Sequence, residues 1–161
     1  MRRADLIMDG GLGSMITMTR TTIHQLLATA RSGLSRLSPA QALQAMRSGA
    51  TLIDIRSDSQ IAWDVTIAGA LVIARNVLEW RLDPASAHRH PQAPGLTDHV
   101  ILLCDEGYQS SLAAATLQQL GFSRATDVDG GFQAWRQAGL PVNPPRGRRV
   151  TIATASSVNR A

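Results

Sequence analysis

Cys104 is the single cysteine in a chain of 161 residues, and the types of residue around it suit covalent sulfur chemistry. The run HVILLC (99–104) is apolar after its first residue. Asp105, Glu106, Gly107, Tyr108 and Gln109 follow, then Ser110, Ser111 and an alanine-rich segment with helical spacing. A strand ending at Leu103 or Cys104 would therefore run through a tight loop into a helix. Gly107 allows a left-handed turn inside that loop. A loop that curls this way points successive backbone N–H groups inward, and the helix start adds unpaired N–H groups and a positive dipole end. Such a nest holds anions. Here the anion would be the thiolate of Cys104, which is the nucleophilic form, or a persulfide or oxyanion carried on it. Asp105 and Glu106 oppose a second negative charge unless they turn to water, and the expectation is that they do. The competing role for Cys104 is a small buried hydrophobe.

Other candidates are weaker. Asp54 and Arg56 flank Ile55 at a second strand end, either as an active-site charge pair or as an internal brace for the loops. Trp80 and Arg81 would rim a pocket, or Trp80 would be a core or surface-anchoring residue; Tyr108 would contact a substrate from within the loop, and Trp135 belongs to the core. His88, His90 and His99 have no metal-ligand spacing with any cysteine or carboxylate set, so no metal is expected.

These residues need elements to position them. TTIHQLLATARSGL (21–34) has Ile23, Leu26, Leu27 and Ala30 at helical spacing. A second helix opens with Ser38 as N-cap, Pro39 in the first turn and Gln41 completing a capping box, and Gly49 suits its end. ATLIDIR (50–56), GALVIA (69–74), HVILLC (99–104) and ATDV (125–128) read as strands. A helix over 109–120 would bury Ala113, Thr116, Leu117 and Leu120, and GGFQAWRQAGL forms a last helix ended by Gly139. Apolar strands alternating with helices predict an α/β fold: a mainly parallel central sheet covered by helices on both faces. Ligands of such sheets bind beyond the carboxyl ends of the strands, where Cys104 lies.

Composition narrows the function. Net charge is +4 and the 16 basic residues are all arginine, placed at both ends and singly between, without interleaved aromatics. That pattern does not point to nucleic acid. No apolar run approaches the roughly 20 residues that span a bilayer, so no membrane is expected. One cysteine forms no intrachain disulfide, which suits a reducing, cytoplasmic setting. Residues 1–18 are expected to be a disordered extension, with Met1, Met8, Met15 and Met18 as alternative starts, and residues 144–161 a flexible tail around a domain at 19–143.

Three segments carry a resemblance. LIDIR ends a strand in Asp-x-Arg, TIAGALVI is similar to a Gly-His-Ile-Pro-Gly-Ala segment, and VILLCDEGYQSSLAAATLQQLGFSRATDVDGGFQAWRQAGLPV joins strand, Cys-x-x-Gly loop, helix, GGFQAW and GLPV. From Leu37 to Val142 the chain resembles the rhodanese-like single-domain sulfurtransferases. The resemblance implies a three-layer fold and a catalytic Cys104 that cycles between thiol and persulfide. The Asp105–Gln109 amides would cradle the persulfide, and Ser110 and Ser111 would begin a helix aimed at the sulfur. It favours the brace for Asp54 and Arg56. A small donor, such as thiosulfate or a mercapto-acid, or a protein sulfur partner would supply sulfane sulfur. A thiol or cyanide-like acceptor would remove it, with no cofactor.

The chain departs from this pattern at places that bear on the donor. Strong thiosulfate sulfurtransferases carry basic side chains in the loop, where this chain has Asp105 and Glu106. Thr66, Val65 and Ala68 stand where the family has His, Gly and Pro, and positive charge would have to come from Arg56, Arg75 or Arg81. The acidic loop keeps open a non-catalytic binding, regulatory or redox-sensing module. A phosphatase of the same fold would need a longer loop with an arginine at its end, and Ser110 and Ser111 occupy that region.

Overall fold

The structure is a computed structural model that describes residues 20–63 and 65–143. The expected extension at 1–18 and tail at 144–161 lie outside the described residues.

Four parallel strands form the centre: β1 (Thr51–Asp54), β2 (Leu71–Val72), β3 (Val100–Leu103) and β4 (Ala125–Asp127), in the order β2-β1-β3-β4. Parallel neighbours need crossovers, and helices supply them. In chain order these are α1 (Ile23–Ser32), α2 (Pro39–Arg47), α3 (Asp58–Trp63), α4 (Leu78–Leu82), α5 (Gln109–Gln119) and α6 (Gly131–Gln137). A 3-10 turn, Arg75–Val77, leads into α4.

The sheet is buried on both faces. Val100, Leu102 and Cys104 join Ile53, Ile55, Ala113, Ala114 and Leu117 in one core layer. Ile101 and Leu103 join Leu52, Ala42, Phe132 and Trp135 in the other. The period-two alternation of β3 thus feeds two apolar layers, which is why its sequence is apolar throughout. The helix-strand-helix layering matches the expected fold class.

Both capping boxes form. Thr22 and Gln25 close the start of α1, and Ser38 and Gln41 close that of α2. At the end of α2, Gly49 has φ +99°, its N–H donates to Met46 O, and Ala50 N–H donates to Ala45 O. This is the paired Schellman arrangement that satisfies orphan carbonyls.

Some expectations need correction. Only Leu27 of the α1 stripe is buried, while Ile23 and Leu26 are 60% and 49% exposed. Helix α1 packs chiefly on α5, and Leu26 and Ala30 border a groove of about 550 Å³ between the two helices. On α5 the buried set is Ser110, Ser111, Ala113, Ala114 and Leu117, and Leu120 is exposed. The strand expected at 50–56 is Thr51–Asp54, and that expected at 69–74 is only Leu71–Val72, an edge strand that among the described residues pairs with β1 alone. Helices α3 and α4 were not expected, since six and five residues are too few to show a period.

Candidate active site

Cys104 follows directly on β3, and its side chain sits 5% exposed in the core layer beneath α5. Helix α5 begins at Gln109 with Tyr108 as N-cap, and no side chain caps it. The cysteine sulfur takes part of that role. Ser110 N–H donates to Sγ at 3.4 Å and Gly107 N–H at 3.2 Å, while Ser110 Oγ lies 3.3 Å away. Two backbone donors and a helix start therefore converge on one sulfur, an arrangement that stabilises negative charge there. Of the amides from Asp105 to Gln109, the one on the sulfur is that of Gly107; the second donor, Ser110, already belongs to the helix.

The loop holds its shape because α6 needs it. Helix α6 starts at two glycines, and its next N–H groups lack partners within the helix. Phe132 N–H donates to Cys104 O at 2.9 Å and Gln133 N–H to Asp105 O at 3.0 Å. With those carbonyls turned towards α6, the loop amides are free to face the sulfur. The close approach requires glycine: a Cβ on Gly131 would stand 2.5 Å from Cys104 O and 2.6 Å from Asp105 O, at φ +58°. Gly107, at φ +82°, would meet Gly130 N at 2.8 Å.

Behind the loop lies a charged network whose members come from distant parts of the chain. Asp127, at the end of β4, is fully buried. It accepts from Arg36 Nε at 2.8 Å and Nη2 at 3.1 Å, from Ser110 Oγ at 2.8 Å and from Ser111 Oγ at 2.7 Å. Arg36 also pairs with Asp129 at 2.7 Å. Burial pushes the Arg36 guanidinium down, but the hydrogen bonds and charges of Asp127 and Asp129 outweigh it and hold it above its ordinary value. Arg31 donates to Ser111 Oγ at 3.1 Å and to Gly107 O at 2.8 Å, and Arg36 Nη2 reaches Gly107 O at 3.1 Å.

The mouth of the site is acidic. A cleft of about 270 Å³ is bordered by Gln60, Cys104, Asp105, Glu106, Tyr108 and Gln109. A second, of about 550 Å³, shares Gln60 and Gln109 and includes Asp58 and Arg75. Glu106 is exposed, but Asp105 is only partly so, because Gln133 Nε2 donates to its Oδ1 at 2.9 Å. Tyr108 is 56% exposed, with Arg31 5.5 Å from its ring centroid. Arg75 is tied to Glu79 at 2.8 Å, and Arg81 donates to His88 O. Trp80 is exposed and borders neither cleft.

Asp54 and Arg56 form a fully buried ion pair at 2.6 Å. Arg56 also donates to Val65 O and lies 3.7 Å over the Phe132 ring. The pair ties the β1 end to Val65 and to α6. Trp135 is in the core.

Arg31, Arg36, Asp127, Gln60 and Gln133 were not singled out from the sequence. Asp127 was legible as an acid within a small-residue strand. Its partner Arg36 lies 91 residues away, and no local spacing links the two.

Comparison with known proteins places this geometry in a family. A profile of the rhodanese-like domain matches residues 38–138. The thiosulfate sulfurtransferase GlpE of Ectopseudomonas mendocina is 33% identical over 105 residues, 65% of this chain and 87% of that protein. A sulfurtransferase of Allochromatium vinosum is 31% identical over 96 residues, 60% of this chain and 80% of that protein. A protein of unknown function from Rhodopseudomonas palustris, described as a possible tyrosine phosphatase, superposes with a TM-score of 0.71 at 32% identity. That superposition covers 80% of this chain and 99% of the other.

Proposed function

The chain belongs to the rhodanese-like domain family, and from that membership we propose a sulfurtransferase that carries sulfane sulfur on Cys104. The Cys104 thiolate attacks the outer sulfur of a donor. A Sγ–S bond forms as the donor's own bond to that sulfur breaks, and the bonding pair leaves with the rest of the donor. A thiol or cyanide-like acceptor then attacks the outer sulfur, and Cys104 leaves as thiolate. This is covalent catalysis in two steps. Gly107 N–H and Ser110 N–H offset negative charge on the sulfur in each, without reorganisation.

The observation that carries the reading is the pair of amides at 3.2 and 3.4 Å from Sγ, on a cysteine that borders an open cleft. A cysteine serving only as packing needs neither amide nor cleft. The donor reading follows from the mouth. Asp58, Asp105 and Glu106 face one arginine that Glu79 already holds. A dianion such as thiosulfate is disfavoured there, and a donor of lower charge is favoured: a mercapto-acid whose carbon leaves as an enolate, or a persulfide presented by a protein partner. A reducing cytoplasm would keep Cys104 available.

The acidic mouth also supports a second reading, a binding or redox-sensing module that retains the cysteine. A phosphatase has less support, because the segment from Asp105 to Ser111 contains no cation to hold a phosphate.

Intact-mass spectrometry after incubation with thiosulfate, and separately with 3-mercaptopyruvate, tests the proposal. The expected result is one added sulfur that Cys104→Ser abolishes. No adduct from either small donor, nor from a persulfidated protein, would overturn the enzyme reading.

A further inference from the structure

The Ser110 hydroxyl lies between two groups that compete for it. Cys104 Sγ is 3.3 Å from Ser110 Oγ, and Asp127 Oδ2 is 2.8 Å from it. A hydroxyl has one proton to give and lone pairs to accept with. A carboxylate is acceptor-only, and its hydrogen bonds are charge-assisted and short. Asp127 is fully buried and has no water to turn to, and Arg36 holds it by two nitrogens. The proton of Ser110 is thus committed to Asp127, and Ser110 Oγ presents a lone pair to the sulfur. That geometry suits a thiol, whose S–H has an acceptor waiting. It does not suit a thiolate, which meets a lone pair instead of a donor.

We infer that Asp127 is a positioning residue for Cys104: by holding the Ser110 proton it favours the protonated thiol, and the balance of Asp127 against Arg36 sets how readily the nucleophile forms. The inference rests on Cys104 being the reactive group and goes beyond it, since neither Asp127 nor Arg36 touches the sulfur. Ionisation sends the thiol proton to solvent while the Ser110 proton stays with Asp127, so the thiolate is held by the Gly107 and Ser110 amides. Arg36 and the Ser111 hydroxyl, at 2.7 Å, continue to satisfy the carboxylate.

Other charged and titratable groups face this centre and stay constant in the test. Asp105, Glu106 and Tyr108 lie on the loop, Arg31 comes from α1, Asp129 follows β4, and Asp58 and Arg75 lie across the cleft. Asp54 and Arg56 neutralise each other behind the sheet.

The experiment follows the alkylation rate of Cys104 by iodoacetamide against pH in the full chain, read by intact mass, for wild type and four variants. Asp127→Asn is expected to move the midpoint to lower pH by about half to one unit. Below the midpoint, alkylation is then roughly three- to tenfold faster. Arg36→Gln moves it the other way, because Asp127 is left uncompensated. Ser110→Ala moves it down, because the thiol loses its acceptor and the thiolate loses little; an upward shift would show that Ser110 donates to the sulfur and would overturn the inference. In the Ser110→Ala background, adding Asp127→Asn should produce less than about half its effect alone. Equal effects in both backgrounds would overturn the route through the hydroxyl, as would an unmoved midpoint in folded Asp127→Asn. If Asp127→Asn fails to fold, the sign of the Ser110→Ala shift still decides. Alkylation needs no sulfur donor, so absence of a persulfide adduct leaves this test standing, while a persulfide-forming protein with unmoved midpoints refutes only the role of Asp127.

Discussion

Gly131→Ala tests how the fold aims the sulfur cradle. An added Cβ would lie 2.5 Å from Cys104 O, 2.6 Å from Asp105 O and 2.7 Å from Gly107 N. All three are backbone atoms, so no side chain can swing aside. Two costs add. An L-residue at φ +58° costs about 1 kcal/mol in the left-handed region, and overpacking against fixed atoms adds about 1–3 kcal/mol. The expected loss is about 2–4 kcal/mol, a large part of the roughly 5–15 kcal/mol that holds a domain folded. Gly139→Ala isolates the first cost, because Gly139 has φ +65° with nothing within 4 Å. It should lose only about 1 kcal/mol. Gly130→Ala meets the Ala134 side chain at 2.6 Å and not the cysteine loop. Urea denaturation of the three variants gives the stabilities from shifted midpoints at constant slope. The chemistry should separate them as well. The atoms Gly131→Ala displaces include the Gly107 nitrogen whose N–H faces Sγ at 3.2 Å. Its persulfide-formation rate under folding conditions should fall about tenfold or more, since displacements near 1 Å at a reacting centre cost up to about a hundredfold. Gly139→Ala should keep the wild-type rate. If Gly131→Ala matches Gly139→Ala in both stability and rate, the tight apposition of loop and α6 does not set the site.

Neutralising the mouth with Asp105→Asn and Glu106→Gln should raise kcat/KM for thiosulfate several-fold and leave a neutral donor nearly unchanged. Added salt should raise the wild-type rate with thiosulfate and flatten this difference. Arg36→Gln should destabilise the fold by about 3 kcal/mol in urea, because it leaves Asp127 buried without its cation; in the Asp127→Asn background the same change should cost much less. His99 contributes a small acid sensitivity. Burial, and then Arg124, pushes its pKa below the ordinary 6.5. The unfolded chain therefore takes up this proton first, so stability falls as pH drops below about 6.5 and levels off beneath the folded value. His99→Asn should lose less stability than wild type between neutral and mildly acidic pH, measured by urea midpoints.

Much of this molecule was written locally. The apolar, β-branched runs require buried strands, and their alternation with helices requires a parallel sheet covered on both faces. Ser38, Pro39, Gln41 and Gly49 mark both ends of α2 because capping depends on side chains within a few residues of the helix terminus. Cys104, Gly107 and Ser110 belong to one such local unit, a strand-loop-helix turn, whose shape α6 then fixes by donating to its carbonyls. What the sequence left open is what depends on tertiary approach. The stripe of α1 reads as a core face, yet Ile23 and Leu26 are exposed, because among the described residues the helix packs chiefly on α5. Asp105 was expected to face water and is held by Gln133 from α6. Asp127 and Arg36 meet across 91 residues, and the Cys104 and Asp105 carbonyls meet the Phe132 and Gln133 amides from a distant helix. A hydrogen bond or ion pair between distant segments leaves no period and no spacing in a chain. A lone cysteine and its near neighbours can be read off the chain; the charges that stand behind its sulfur emerge on packing, because folding removes the water that would otherwise screen them.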